Sequence, residues 1–268
     1  MKKRQDKIAE LSVDVYEPDG DPKATLLFCH GAWVGGWIWE PFAAHFASLG
    51  YLGYAPTWRG RYDSKKVPDL GRVSVYDFVE DALAVARAVG ADVVIGESMG
   101  GLIAQKVAEA SPNLKALVLL NSVPPFRVPA SPTLIKKQAK YLGDLVFKRP
   151  NMPKEEDYIS LILNNVEEAE AKAFYKRICA ESGRALMELS LGKIKVDANR
   201  VKCPVYVIAG HLDAVNPPKV HAKVAQMYGA ALAEYPALSH HAFLEEGWEQ
   251  VASELASWLD DKLTAGAH

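Results

Sequence analysis

Short, unbroken apolar runs recur along this chain, each followed by a stretch of helical character. Ala24-Thr25-Leu26-Leu27-Phe28-Cys29, Asp92 to Ile95, Leu114 to Leu120 and Val205 to Ala209 are the clearest of these runs. They lack the polar alternation of a half-exposed strand, so each suits a strand covered on both faces. The segments between them read as helices with recognisable ends. Ile38 to Leu49 is stopped by Gly50, Ser74 can cap a helix that runs to Val89 and stops at Gly90, and Met99 to Ala110 ends before Pro112. Farther on, Lys219 to Tyr228 reads as a helix, Ala231 to Tyr235 as a strand, and Trp248 to about Leu263 as a terminal helix. Strands alternating with helices through short loops imply right-handed crossovers. The expected class is therefore α/β, a mostly parallel central sheet flanked by helices. The opening segment differs. Ile8 to Glu17 sets Leu11, Val13 and Val15 against Ser12, Asp14 and Tyr16, a period of two that reads as an antiparallel edge strand or hairpin.

The alternation breaks at Val123-Pro124-Pro125 and resumes near Val205. The intervening sequence is helical in character, with Glu167-Glu168-Ala169-Glu170-Ala171-Lys172 reading as a solvated amphipathic helix. Residues 1–123 and 203–268 are thus expected to form one core, with 124–202 inserted as a helical cap. Composition narrows the function classes. The 31 basic and 33 acidic residues nearly cancel, which leaves no electrostatic footprint for nucleic acid. Cys29, Cys179 and Cys203 are too few and too scattered for a disulfide framework or a zinc ribbon. No apolar run follows the charged start, and none is long enough for a membrane helix, so a cytoplasmic location is expected.

The strongest chemical signal is Gly96-Glu97-Ser98-Met99-Gly100, placed directly after one strand and directly before a helix. Such a turn forces Ser98 into a strained conformation and holds its hydroxyl up at the carboxyl end of the sheet. The plainer alternative is a glycine-rich turn whose serine only caps the helix. A second element, Cys29-His30-Gly31-Ala32-Trp33-Val34-Gly35-Gly36-Trp37, follows the first buried strand. Its glycine spacing is wrong for a dinucleotide loop. A backbone amide here, best assigned to Ala32, can pair with that of Met99 as an oxyanion hole. His30 reads as a buried histidine that fixes the loop.

These residues resemble the α/β-hydrolase superfamily over almost the whole chain, in its serine-nucleophile, esterase- and lactonase-like branch. The resemblance implies the chain order nucleophile, acid, histidine. Gly210-His211-Leu212-Asp213-Ala214-Val215-Asn216-Pro217-Pro218 is similar to the family's acid loop and makes Asp213 the candidate acid, with a helix-capping Asp as the alternative. Leu238-Ser239-His240-His241-Ala242-Phe243-Leu244-Glu245-Glu246 is similar to the histidine loop. Family register, an acid five residues on, favours His240 through Glu245, while His241 would need Glu246. His241 is then expected at the pocket mouth or in solvent. Trp33, Trp37, Trp39, Phe126 and Met152 are candidate pocket residues, with ordinary packing as the alternative for each. Glu181-Ser182-Gly183-Arg184 resembles a segment of bacterial hydrolases of this type, but suggests no chemical role.

The implied function is a serine hydrolase acting on a small or medium apolar carboxylic ester, thioester or lactone through Ser98, His240 and Asp213. No metal or organic cofactor is called for. The partners expected are a small apolar substrate and, as an assembly open to the chain, a homodimer. Three alternatives use the same scaffold: a hydroxynitrile-lyase-like enzyme, a carbon–carbon bond-cleaving enzyme and a hydrolase-like receptor. The lyases place a Lys beside the histidine where this chain has His241. For the hydrolase, kcat/KM is expected to fall on the acid side within about a unit of the ordinary histidine pKa of about 6.5.

Overall fold

The computed structural model describes residues 1–127, 136 and 139–265. Its centre is an eight-stranded sheet built from β1 (Lys2–Ile8), β2 (Leu11–Glu17), β3 (Thr25–Cys29), β4 (Leu52–Pro56), β5 (Val93–Glu97), β6 (Ala116–Leu120), β9 (Val205–Gly210) and β10 (Ala231–Tyr235). Their spatial order is β1-β2-β4-β3-β5-β6-β9-β10. The strands from β4 to β10 run parallel, while β1 and β2 are antiparallel to their neighbours. The uninterrupted apolar runs thus became the buried centre: β5, β6 and β9 are buried at every position.

Helices α1 (Glu40–Ser48) and α9 (Trp248–Ala265) cover one face, and α2 (Val75–Val89), α3 (Met99–Ala110) and α8 (Pro218–Tyr228) the other. The ends of α2 follow from its sequence. Ser74 and Asp77 form a reciprocal capping box at its start, and Gly90 closes it in the left-handed conformation at φ 62°. The order of strands reverses between β3 and β5. The loops leaving those two strands diverge there and open a crevice at the carboxyl edge of the sheet, the usual place for a ligand in such folds.

Three expectations need correction. The charged segment Lys2–Ile8, unread as structure, is an edge strand paired with β2 in a two-residue hairpin. Its turn residues Ala9 and Glu10 adopt φ 51° and 67° without a glycine, so the usual sequence signal was missing. The helix expected from Ile38 begins instead as a 3-10 turn over Gly36–Trp39, with the α-helix starting at Glu40, just ahead of Pro41 at its first turn. The segment between β6 and β9 is not purely helical. Besides α4 (Leu142–Val146), α5 (Glu155–Ile162), α6 (Glu168–Tyr175) and α7 (Gly183–Ser190), it holds a two-stranded ladder of β7 (Pro150–Asn151) and β8 (Glu181–Ser182). Two-residue strands carry no period to read.

That ladder gives Glu181-Ser182-Gly183-Arg184 a physical meaning. Glu181 forms a fully buried ion pair with Arg61, in the loop after β4, and accepts the backbone N–H of Trp33 at 3.3 Å. The Ser182 hydroxyl donates to the carbonyls of Gly71 and Val73, and Arg184 pairs with Glu188, which in turn accepts from Ser74 and Val75. The motif fastens the inserted segment onto the loops that precede α2.

Candidate active site

Ser98 stands between β5 and α3 with φ 52° and ψ −122°, a conformation that costs free energy for any residue with a side chain. The turn closes only because two neighbours lack side chains. A Cβ on Gly96 would lie 2.3 Å from the Gly100 carbonyl oxygen, and one on Gly100 would lie 2.0 Å from that of Cys29. The serine makes no capping hydrogen bond to α3, so the helix-cap alternative has no geometric support.

Its hydroxyl instead lies 3.0 Å from His240 Nε2, and His240 Nδ1 lies 2.9 Å from Asp213 Oδ2. Asp213 Oδ1 accepts the backbone N–H groups of Val215 and Asn216, which aims Oδ2 at the ring. The residue preceding α8 is Pro217, so Asp213 is not that helix's cap. Burial alone would push the Asp213 carboxyl up. The charge of His240 and hydrogen bonds from His221, His240 and the Asn216 backbone outweigh it and hold the group well below the usual carboxylate range. For His240, burial acts downward, but the charge and hydrogen bond of Asp213, with the charges of Glu97 and Glu245, raise it from 6.5 to about 9. That value stands above the pH expected from the sequence. Three carboxylates enclose the ring, so a midpoint set by it is expected above that of a solvated histidine.

Two residues hold these loops together, and sequence reasoning missed the first of them. Asn121, at the end of β6, is fully buried with φ 42°. Its Nδ2 donates to the carbonyls of Ser239 and His240 at 2.7 and 2.9 Å, and its Oδ1 accepts Gly210 N–H at 2.8 Å. One amide thus ties the histidine loop to the strand that leads into the acid loop. Only the position after an apolar strand hinted at it. Glu245, the acid used to set the register, accepts from Ser239 N, Ser239 Oγ and Asn165 Nδ2 and so pins the histidine loop. Phe243 packs behind that loop, stacked on Trp39 at 4.4 Å.

Ala32 and Met99, the two residues expected to supply amides, both border the cavity. His30 is buried apart from this chemistry. Its Nδ1 contacts Gly31 O at 2.8 Å, Trp58 N–H donates to its Nε2, and burial followed by the charge of Arg61 holds its pKa well below 6.5.

A cavity of about 620 Å³ opens above Ser98 and His240. Trp33 and Phe126 line it, together with Tyr158, Leu161, Leu186 and Leu189 from the inserted segment. The other three aromatic and methionine candidates fall elsewhere. Trp39 is fully buried against Phe28, Phe42 and Phe243. Trp37 lies under the Arg177 guanidinium at 3.8 Å, beside Phe174, with its Nε1 donating to Tyr62. Met152 is exposed and does not border the cavity. His241 also departs from expectation. It is 2% exposed, packed near Phe174 and Phe243 with Nδ1 3.3 Å from Glu97 Oε1. Neighbouring side chains do point apart here, but the second direction leads beneath the pocket rather than to its mouth.

A model described as the alpha/beta hydrolase family matches residues 26–254. This chain belongs to the alpha/beta hydrolase family. The alpha/beta hydrolase is 27% identical over 263 residues to a monoacylglycerol lipase of Mycolicibacterium smegmatis, covering 92% of this chain and 91% of that one. It is 26% identical over 202 residues to a carbendazim hydrolyzing esterase of a Nocardioides species, covering 71% and 81% respectively. The crystal structure of a Paleococcus ferrophilus monoacylglycerol lipase superposes with a TM-score of 0.74 at 19% identity, over 94% of this chain and 99% of that one, which bears on the fold alone. The alpha/beta hydrolase is esterase- and lipase-like. Among its described residues no cluster could hold a metal ion, and no helix is long and apolar enough to cross a membrane.

Proposed function

We propose that this alpha/beta hydrolase is a serine hydrolase that cleaves small or medium apolar carboxylic esters, thioesters or lactones. The observation that carries the reading is the continuous path from Ser98 Oγ to His240 Nε2 at 3.0 Å and from His240 Nδ1 to Asp213 Oδ2 at 2.9 Å. A free hydroxyl is a poor nucleophile. His240 takes the Ser98 proton as Oγ attacks the acyl carbon, and Asp213 fixes the tautomer and steadies the charged ring. The amides of Ala32 and Met99 receive the oxyanion. His240 returns the proton to the leaving group, then activates a water that frees the acid from Ser98.

Residues 124–202 act in this reading as a cap whose apolar side chains choose the substrate. A cavity of about 620 Å³ falls within the range of sites for small organic ligands. Names of relatives agree with an ester hydrolase: a monoacylglycerol lipase and an esterase. The lyase alternative draws less support, because the residue after His240 is the buried His241 rather than a fixed cation facing the cavity. The free state of the three cysteines fits a reducing cytoplasm.

Turnover of p-nitrophenyl butyrate, together with mass spectrometry after fluorophosphonate treatment, tests the proposal. The expected result is hydrolysis by the wild type and a single label on Ser98. A label elsewhere, or full activity in Ser98→Ala, rejects the nucleophile. No turnover across an ester, thioester and lactone panel rejects the reaction class.

A further inference from the structure

Glu97 takes no part in the acyl-enzyme steps above, although it precedes the nucleophile. Its side chain is fully buried, and neither carboxylate oxygen makes a hydrogen bond among the described residues. Oε1 lies 3.4 Å from His240 Nε2 and 3.3 Å from His241 Nδ1, between the two rings. The ring nitrogens of His241 and the hydroxyl of Tyr158 are also buried without hydrogen bonds. A carboxylate kept away from water is costly unless positive charge stands close by. Imidazole is the chemistry that can supply such charge here.

The catalytic cycle supplies it at one moment. In the neutral ring that is able to accept the proton, Nδ1–H donates to Asp213 and the Nε2 lone pair faces Ser98, so Oε1 gains nothing from Nε2. Once the Ser98 proton has moved, the ring is cationic and carries an N–H within reach of Oε1. An interaction stronger with the charged ring than with the neutral ring from which the reaction starts lowers the barrier. We propose that Glu97 is a positioning residue for the proposed reaction, a second carboxylate that stabilises the His240 imidazolium at Nε2, and that His241 holds this carboxylate in place. The Ser98 Oγ–H bond breaks as Nε2–H and the Oγ–acyl bond form. Nε2–H then breaks as the leaving-group oxygen takes the proton, and Glu97 neither gains nor loses one.

The charged and titratable groups around the pair come from several elements. Asp213 faces His240 from the loop after β9, and Glu245 from the histidine loop itself. Tyr158 of α5 faces Glu97, and the rings of Phe174 and Phe243 enclose His241. The raised pKa of His240 includes a contribution from Glu97.

The inference rests on the triad reading, and kcat and KM of Glu97→Gln across pH 5 to 10, beside Ser98→Ala, separate the two. Gln keeps the volume and removes the charge. We expect kcat to fall by about 10–100-fold and KM to stay within about twofold, because the contact is made after binding. The acid-side midpoint of kcat/KM should move down by about one pH unit. His241→Gln should move both readings the same way by less, and the double variant should be no worse than Glu97→Gln, since His241 acts through Glu97. An NMR titration of the His240 ring reports the same shift in folded protein independently of turnover. If Glu97→Gln does not fold, Glu97→Asp, which withdraws the charge, should give an intermediate midpoint. Unchanged kcat and midpoint in the Gln variant, an unchanged midpoint in the Asp variant, or multiplying losses in the double variant overturns the inference. An inactive Ser98→Ala beside a fully active Glu97→Gln rejects this inference alone, whereas an active Ser98→Ala rejects the triad beneath it.

Discussion

The strand-end loops and the segment between β6 and β9, proposed above as a cap, meet at one cavity but are built by different physics. At the strand ends polar groups dominate, and those that hold the Ser98–His240–Asp213 path are bound, in contrast to Glu97 and His241. Asn121 uses both side-chain atoms, Asp213 uses both oxygens, and Glu245 accepts three hydrogen bonds. The cap offers the cavity mainly hydrocarbon and aromatic rings, and on its outside α4 exposes Leu142, Val146 and Phe147. Directional bonds fix atoms to a few tenths of an ångström, whereas apolar walls fix only volume. Reaction geometry should therefore belong to the first region and substrate preference to the second.

The hardest test of that division is Asp213→Asn. The amide favours the wrong tautomer of His240, and we expect kcat to drop by about 10⁴-fold with little change in folding. If activity survives within about threefold, equivalent to about 0.6 kcal/mol of barrier, another carboxylate orients the ring. A cap substitution that costs as much kcat would erase the comparison.

The cap is nonetheless not merely hydrocarbon where it meets the core. Arg61 and Glu181 are both fully buried, and Arg61 has two further nitrogens without partners. Glu181→Gln should leave that cation uncompensated and destabilise the fold by about 3–5 kcal/mol, read from urea unfolding. Since Glu181 also accepts the Trp33 amide, activity at low temperature should fall as well, through the loop that carries Ala32. Unchanged stability would mean that Arg61 reaches water or another anion.

These differences decide what the sequence made legible. Apolar runs on both faces announced β5, β6 and β9, and the capping box and Gly90 announced α2, because local chemistry determines those features. Ser98 was readable because a strained turn demands glycine at defined positions. Asn121 and Arg61 were not, because their partners lie far away in the chain, and no local pattern encodes a bond across 89 or 120 residues. Trp37 and Trp39 were misplaced for a related reason. A tryptophan-rich loop states how much apolar surface must be covered, but not which side of the loop covers it.

The pH profile sharpens the comparison next. His240 must be neutral to accept the Ser98 proton, and its pKa is raised to about 9. Below that pH the ring holds its own proton, so kcat/KM should rise with pH between 7 and 9 and lose about tenfold for each unit below the midpoint. Substitutions of apolar cap residues should leave that midpoint where it is. A midpoint at 6.5 would mean that the carboxylates around the ring do not act on it in solution.

The smallest effects should come from the cavity wall, and they decide whether the cap governs preference. Leu189 and Phe126 both border the cavity, and neither supplies a hydrogen bond to the Ser98–His240–Asp213 path. Leu189→Ala removes apolar contact without removing a hydrogen bond. For a p-nitrophenyl ester long enough to reach that wall, kcat/KM should fall by about 10-fold, in line with about 1–3 kcal/mol for a few lost methylene contacts. For the acetate it should change by less than about twofold, since the short acyl group leaves the wall untouched. Trp37→Leu serves as the contrast. Trp37 was expected at the pocket but packs on Phe174 and Arg177, so both esters should respond equally and weakly. A chain-length-dependent loss in Trp37→Leu, with none in Leu189→Ala, would move the acyl path to the other side of the cap and reassign which residues select the substrate.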